Sequence, residues 1–301
     1  MQSVAYYYRH PKVLGNVLLV RFCHWMPDKW YLKLKYRLWM GKRLNLKDPQ
    51  TFSEKLQWLK LYDRRPVYTK MVDKAKVKDY VASIIGKDFI IPTLGVWDSP
   101  EKIDFDALPN RFVLKCNHNS GLGMYICRDK NKMDVEKVKA GLKMGLKQDY
   151  FIGSREWPYK DVHRCVLAEE YIDPAPNVND LPDYKWYCFN GDPKFCQVIQ
   201  DRNTCETIDF FDADWNHQDF VGLSSVAENA KRVPPRPAHL DTHLYIAREL
   251  SKGIPFSRID LYETNEKVLF GEITFFPGGG FGSFRPAKYN EIIGSMLVLP
   301  R

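Results

Sequence analysis

The period of the apolar positions changes along the chain. In the first 85 residues they recur at helical spacing. Residues 11–45 read as two short helices broken near Pro27. Thr51-Phe-Ser-Glu54 has the form of a capping box, so a helix is expected from about 52 to 62 with Phe52, Leu56 and Leu59 on one face. Residues 69–85 read as another helix, closed by Gly86. Beyond it strands dominate: RFVLKC (111–116), CVLAEEYI (165–172), then 183–189, 194–200 and 206–211, with helices expected at 134–147 and at 239–252 before Gly253. SRIDLYE and VLFGEITFF face each other across a polar TNEK turn, the pattern of a β-hairpin. The layout is α+β, with two lobes meeting near residue 170.

Composition narrows this little, but charge does more. The 301 residues carry a net charge of +8, at first sight that of a nucleic-acid binder. Residues 1–47 hold ten Lys/Arg and one acid, Asp28, giving +9, so the other 254 residues carry 35 basic and 36 acidic side chains, or −1. A near-neutral body with a basic, aromatic N-terminal segment does not fit a nucleic-acid surface. Instead Arg21, Lys29, Lys33, Lys35 and Arg37, among Trp and Tyr, are candidates to meet an anionic membrane face or a lipid-linked glycan; the alternative is that the aromatics pack on the first lobe and the cations solvate the outside. The longest stretches free of Asp, Glu, Lys and Arg are 12 residues, too short to span a bilayer. No secretory signal is read at the N-terminus, and seven cysteines without a CxxC are expected to be reduced and mostly buried, in a cytoplasm.

Candidate chemistry gathers in the C-terminal hairpin. Strand period puts Arg258, Asp260 and Tyr262 on one face, and Glu272 and Thr274 on the matching face of the next strand. If the connecting loop has an odd number of residues, Asp260 lies directly across from Glu272. Two carboxylates that close require a cation between them, which a hard ion such as Mg²⁺ supplies; an Arg/Asp/Glu network on an exposed sheet face is the alternative. Gly278, Gly279 and Gly280 follow as a candidate loop for a substrate or phosphate, or simply a turn. Lys115 ends a strand just before Ser120, Gly121 and Gly123, a pairing suited to phosphate although it lacks the Walker and Rossmann orders. Glu169 and Glu170 interrupt an apolar strand, and Asp183 and Lys185 share a strand face.

Rival signals are weaker. Asp212 and Asp214 form a DxD resembling the metal signature of sugar-nucleotide glycosyltransferases, but the following Trp-Asn-His reads equally as a turn. His239 and His243 stand at i, i+4 without a third ligand, and His163 near Cys165 is a poor reactive-thiol motif.

Taken in order, DPQTFSEKLQWLKLYDR, DKAKVKDYV, IPTLGVWD, FVLKCNHNSG, DYKWYCFNGDPK and RIDLYETNEKVLFGEITFFPGGG resemble the ATP-grasp superfamily, in its TupA-like branch associated with teichuronopeptide and other surface polysaccharides, over residues 45–301. The resemblance implies two α+β lobes enclosing ATP: an N-terminal helical segment at 1–85, an N-lobe at 86–168 and a C-lobe at 169–301. It implies Lys115 on the phosphates, the 119–123 loop closing over them, and residues Glu169, Glu170 and Ile172 in the hinge that reads adenine. Lys185 would be a further phosphate or substrate contact, Asp260, Glu272 and Thr274 would hold Mg²⁺, and Arg258 would stabilise the transferring phosphoryl group. Thr274 stands where the family pattern has Asn, and the helical segment stands in place of the usual N-terminal α/β domain. The implied activity is an ATP-dependent carboxylate–amine ligase acting through an acyl phosphate, with a glycan uronic acid as a candidate carboxylate. A DxD glycosyltransferase and a catalytically weak ATP-binding scaffold are the alternatives.

Overall fold

The computed structural model of the protein describes residues 10–174, 181–201, 205–223 and 228–300. Prolines open the N-terminal helices. Pro11 occupies the first turn of α1 (Pro11–Phe22), where a missing N–H costs nothing, and Pro27 precedes α2 (Asp28–Met40), which ends on Gly41 in the left-handed region at φ 70°. The capping box forms at α3 (Phe52–Tyr62): the Thr51 hydroxyl accepts from the Glu54 N–H and the Glu54 carboxylate from the Thr51 N–H, at 3.3 and 3.1 Å.

The single helix expected at 69–85 is instead two, α4 (Val67–Val72) and α5 (Val77–Ile85). Asp73 divides them: its Oδ1 accepts from the N–H groups of Ala75 and Lys76 at 3.0 and 3.3 Å, a local bond that competes with helix continuation.

Strands β1 (Thr93–Trp97), β2 (Phe112–Cys116), β3 (Tyr125–Cys127) and β4 (Val166–Glu170) form one antiparallel sheet in the order β1-β4-β2-β3. A second contains β5 (Asp183–Phe189), β6 (Asp192–Gln200), β7 (Thr207–Asp212), β9 (Phe256–Glu263) and β10 (Val268–Thr274), in the order β10-β9-β5-β6-β7. Two short strands, β8 (Val221–Gly222) and β11 (Phe284–Arg285), pair separately. The lobe boundary expected between residues 168 and 169 cuts β4, which pairs through Glu170 with β2, so the passage between sheets begins after Glu170.

Each sheet buries one face under helices. Phe112, Leu114, Val166 and Ala168 of the smaller sheet pack with Val138 and Leu142 of α6 (Val135–Lys147). Trp186, Ile259 and Leu261 of the larger sheet share a core with Val81 of α5 and with Ile246 and Leu250 of α8 (Leu240–Ser251). The opposite faces carry Lys115 and Glu169 in the smaller sheet and Lys185, Arg258 and Asp260 in the larger. The N-terminal helices form a third cluster, in which Leu19, Tyr31, Leu32 and Tyr36 meet Phe281. Among the described residues, packing of the N-terminal aromatics therefore holds for Tyr31 and Tyr36, whereas Phe22, Trp25, Trp30 and Trp39 remain 58, 72, 61 and 42% exposed. Among the described residues no helix is long and apolar enough to cross a membrane.

Candidate active site

The loop joining β9 to β10, Thr264–Lys267, has four residues, an even number. Pairing runs regularly from Val268↔Glu263 to Phe270↔Leu261, a register that would set Gly271 against Asp260. A one-residue bulge at Gly271 shifts it, and Glu272 faces Asp260. A Cβ at Gly271 would sit 3.0 Å from the Asp260 carbonyl oxygen and 3.1 Å from the Tyr262 ring, a tight fit that favours glycine in the bulge. The facing carboxylates expected from an odd loop are thus reached with an even loop and a bulge. On the other side of β9, β5 places Lys185 against Asp260 and Tyr187 against Arg258.

Cations occupy the space between the acids. Arg258 donates to both oxygens of Asp260 (2.6 and 2.7 Å), to Glu272 (3.2 Å) and to Thr274 Oγ1 (3.1 Å). Lys185 also donates to Asp260. Lys74, in the turn that Asp73 makes, reaches Glu272 Oε2 at 3.3 Å and donates to the carbonyl of Asn119 at 2.8 Å. Across the cleft, Glu169 is 4% exposed and lies between Lys78 (2.7 Å) and Lys115. Burial would raise its pKa, but Lys115 and Lys78 together hold it below the ordinary carboxylate value. Glu272 is likewise pushed up by burial and brought well below its usual value by Lys74 and Arg258. Asp260 is raised by burial, with Arg258 and Lys185 opposing.

A cleft of about 240 Å³ adjoins this array. Ile91, Val113, Met124, Ile126 and Ile172 give it apolar walls, and Lys115, Glu169, Glu170, Asp183 and Tyr262 add polar groups at its lining. The loop with Ser120, Gly121 and Gly123 leads into Met124 of its wall, and Ser120 and Gly121 are exposed. The loop is tethered at its base. The Asn119 amide donates to Leu122 O and Gln148 Oε1 at 3.0 and 2.9 Å, and a Cβ on Gly123 would stand 2.9 Å from Gly145 Cα.

The structure brings together Lys115, Glu169, Lys185, Arg258, Asp260, Glu272 and Thr274, and adds Lys74 and Lys78, which the reading of 69–85 as one uninterrupted helix left unassigned. Gly278, Gly279 and Gly280 have φ of 59, 62 and 69°, but only Gly278 is exposed. A Cβ on Gly279 would meet Ser154 Oγ at 2.5 Å and one on Gly280 would meet Gln57 Nε2 at 2.5 Å, so close packing is their first requirement. Asp212 lies on β7, at the far edge of the larger sheet from β10. It accepts from the N–H groups of Asp214 and Asn216 at 3.0 and 2.8 Å, making the DxD a turn. His243 is fully buried, accepts from Trp186 Nε1 at 3.2 Å and shares 2.8 Å with Glu263, a structural role. Burial pushes the Cys165 thiol up to about 12, far from a reactive thiolate.

Asp260, Glu272 and Thr274 supply the hard oxygen donors that Mg²⁺ takes, although among the described residues no three His, Cys, Asp or Glu form a ready metal cluster. Glu272, with 30% of its side chain exposed, is the open donor. Asp260 becomes one when Lys185 and Arg258 turn to another anion, as they would with a polyphosphate beside them. The residues fit the ion on that condition.

Several solved structures are similar to the chain. They include a D-alanine–D-alanine ligase from Bacillus anthracis complexed with ATP (16% identity, 69% of this chain and 55% of that chain, TM-score 0.40) and the ATP-grasp ligase PsnB complexed with minimal precursor (12%, 74% and 60%, 0.38). A third is a RimK domain protein ATP-grasp from Sphaerobacter thermophilus (13%, 76% and 69%, 0.40). The chain spans 55 to 60% of the length of the first two. No curated protein matches it. Residues 54–298 run from α3 past the last helix and include every strand of both sheets; they match the family described as TupA-like ATPgrasp, and the chain belongs to that family.

Proposed function

We propose that the protein is an ATP-dependent carboxylate–amine ligase. The observation that carries this is the set of four cations, Lys74, Lys115, Lys185 and Arg258, arranged with Glu169, Asp260 and Glu272 between two sheets beside an apolar cleft. In this reading the adenine lies in the cleft against the Glu170–Ile172 segment, and the triphosphate draws Lys115, Lys185 and Arg258 onto itself. The substrate carboxylate oxygen attacks the γ-phosphorus, the bond to the ADP oxygen breaks, and Arg258 offsets the charge on the transferred group. The amine then attacks the acyl carbon, forming the C–N bond as the C–O bond to phosphate breaks. Mg²⁺ held by Glu272, Asp260 and Thr274 would neutralise phosphate charge. No protein nucleophile is required.

The support for a uronic acid of a surface polysaccharide, or its lipid-linked precursor, as the carboxylate is family membership alone. Calorimetry with ATP and Mg²⁺ tests the core of the proposal, followed by release of ADP and phosphate with acid and amine pairs. Asp260→Ala and Glu272→Ala should abolish turnover and Asp212→Ala should spare it. Persistent absence of ATP binding defeats the reading, and loss of activity only in the Asp212 variant would favour a sugar-nucleotide transferase.

The same proposal places the N-terminal helices on an anionic membrane face. Leu14, Leu18 and Phe22 line one side of α1 at i, i+4, i+8 and are 38, 46 and 58% exposed, and Trp30 and Leu34 of α2 are 61 and 40% exposed. Arg21 lies 5.8 Å from the Phe22 ring and Lys33 5.2 Å from that of Trp30, so cationic heads border the apolar rings. Sedimentation with phosphatidylglycerol vesicles should be lost in Trp25→Ser/Trp30→Ser; equal sedimentation of that variant would refute the contact.

A further inference from the structure

One buried acid near the array has no bonding partner. Glu156 is 4% exposed, and among the described residues no hydrogen bond or ion pair reaches its carboxylate, whose oxygens keep a small contact with solvent. A buried ionisable group without hydrogen bonds is costly and calls for an explanation. The neighbouring cations do not supply one. The Lys60 ammonium spends its three N–H groups on Gln57 Oε1 (3.0 Å), Ser154 O (2.8 Å) and Gly279 O. Lys35 donates to Gly153 O, and Arg155 donates to the carbonyls of Cys23, His24 and Met26 at 3.2, 2.9 and 3.3 Å. Arg155 also pairs with Asp28 at 3.5 Å, and Lys60 and Lys35 act on Glu156 through their field.

The chain is bent to put the acid there. Arg155 caps α7 (Tyr150–Ser154) at φ 55°, a left-handed conformation that a non-glycine residue adopts at a cost, and both Arg155 and Glu156 turn inward. Tyr150 and Tyr159, partly exposed with rings 4.8 Å apart, both feel the charge of the acid, and neither hydroxyl has a hydrogen-bond partner among the described residues. Arg258 and Glu272 act electrostatically on Glu156, so it borders the catalytic face on the side of the Gly278–Gly280 turn and not of the nucleotide cleft.

We infer that Glu156, with Tyr150 and Tyr159, forms the site that receives the ammonium group of the amine substrate. The inference rests on the ligase reading. An ammonium supplies the donors that the carboxylate lacks, and no anion would be held beside it. To become nucleophilic the ammonium passes one proton to Glu156. The nitrogen lone pair then forms the C–N bond, the C–O bond to phosphate breaks with its electron pair on the phosphate oxygen, and a second N–H proton leaves with the phosphate. Burial keeps the Glu156 carboxyl raised to about 7, against the pull of Lys60 and Lys35, which suits a group that takes up a proton near neutrality.

Calorimetric titration of the full-length protein, saturated with ATP and Mg²⁺, with methylammonium, glycinamide and 1,4-diaminobutane tests this, with acetamide and acetate as neutral and anionic controls. The ammonium probes should bind and the controls should not. Glu156→Gln should weaken them at least tenfold and Glu156→Asp less, while both variants keep wild-type affinity for ATP, which also reports that they are folded. Equal ammonium binding by Glu156→Gln, no ammonium binding by the wild type, or binding of acetate in preference overturns the inference. Failure of the wild type to bind ATP would instead defeat the ligase reading itself.

Discussion

Glu169 tests the electrostatics of the site without knowledge of the substrate. Its carboxylate is 5% exposed and the two lysines it joins, Lys78 and Lys115, are 12 and 16% exposed, so bulk water screens the triad little. Glu169→Gln keeps the shape and one acceptor but leaves two buried ammonium groups without an anion. Removing one partner of a buried pair costs about 3–5 kcal/mol; the retained amide oxygen puts this variant near 3, a fall in melting temperature of roughly 5 °C for a chain of this size. ATP should narrow the gap, because phosphate charge reaches Lys115 in the bound state, so the nucleotide-induced melting shift is larger in the variant than in the wild type. Acid should narrow it as well. The folded carboxyl pKa is depressed below its ordinary 4.5, so its contribution is full above that pH and is lost as pH falls through the lower folded value. Differential scanning fluorimetry from pH 3 to 8, with and without ATP, reads all three effects. A variant that melts within a degree of the wild type at pH 7 refutes the triad as a stabilising unit. A smaller ATP shift in the variant would return Glu169 to the role of adenine reader.

Gly271→Ala should destabilise the hairpin by about 1–3 kcal/mol, the range for overpacking a tight site, and depress Mg²⁺-dependent ATP binding more than it lowers the denaturation midpoint, because the added Cβ meets the Asp260 carbonyl at 3.0 Å; urea melts and calorimetry measure the two. Gly145→Ala would place a methyl 2.8 Å from Gly123 Cα and 2.7 Å from Cys116 Sγ, lifting the 119–123 loop, so ATP affinity should fall while the β9–β10 hairpin stays intact by amide exchange. Burial lowers the pKa of Lys35 from 10.5 to about 8. The folded chain thus binds fewer protons than the unfolded one between those values, and stability should rise with pH across that window by up to about 3 kcal/mol. In urea melts at pH 7.5 to 10, Lys35→Met should flatten that rise; an unchanged slope would show that the ammonium is not strained by burial.

Local rules account for most of what the sequence foretold. A capping box, a Gly C-cap and strand alternation each act within a few residues, so α3, α8 and the strands β2, β5 and β9 follow from neighbours along the chain. The split of 69–85 escaped because it depends on one side chain: Asp73 could have pointed to solvent and left the helix intact, but it turns back onto two N–H groups and also receives the Asn117 amide at 2.8 Å from a strand end some forty residues on. That second bond is tertiary and has no signature in the local pattern, yet it sets Lys74 against Glu272.

The site was legible to the same degree and for the same reason. Arg258, Asp260, Glu272 and Thr274 share a face by strand period, and Lys115 and Glu169 lie on neighbouring strands. What the pattern could not supply is which cation meets which acid, because Lys74 and Lys78 belong to helical segments distant in sequence from the strands they serve. Nor could it reveal Glu156: in SREWPY one acid among polar and aromatic residues reads as a turn. Its burial follows from Arg155 taking a left-handed conformation and being clamped by three carbonyls of the α1–α2 connection. The N-terminal helices are therefore more than a basic appendage. Through Arg155, Lys35 and Tyr31 they hold the segment that presents Glu156, so a change on the buried face of α2 that shifts the Arg155 clamp should alter the side of the site away from the nucleotide while leaving the Lys115–Glu169–Lys78 triad in place. Charge-neutral Tyr31→Phe, which removes only the hydroxyl bond to Gly153 O, is the mildest such change. It should weaken ammonium binding in calorimetry and leave ATP binding unaltered, and an equal loss of both would mean that the two halves of the site are not separable in this way.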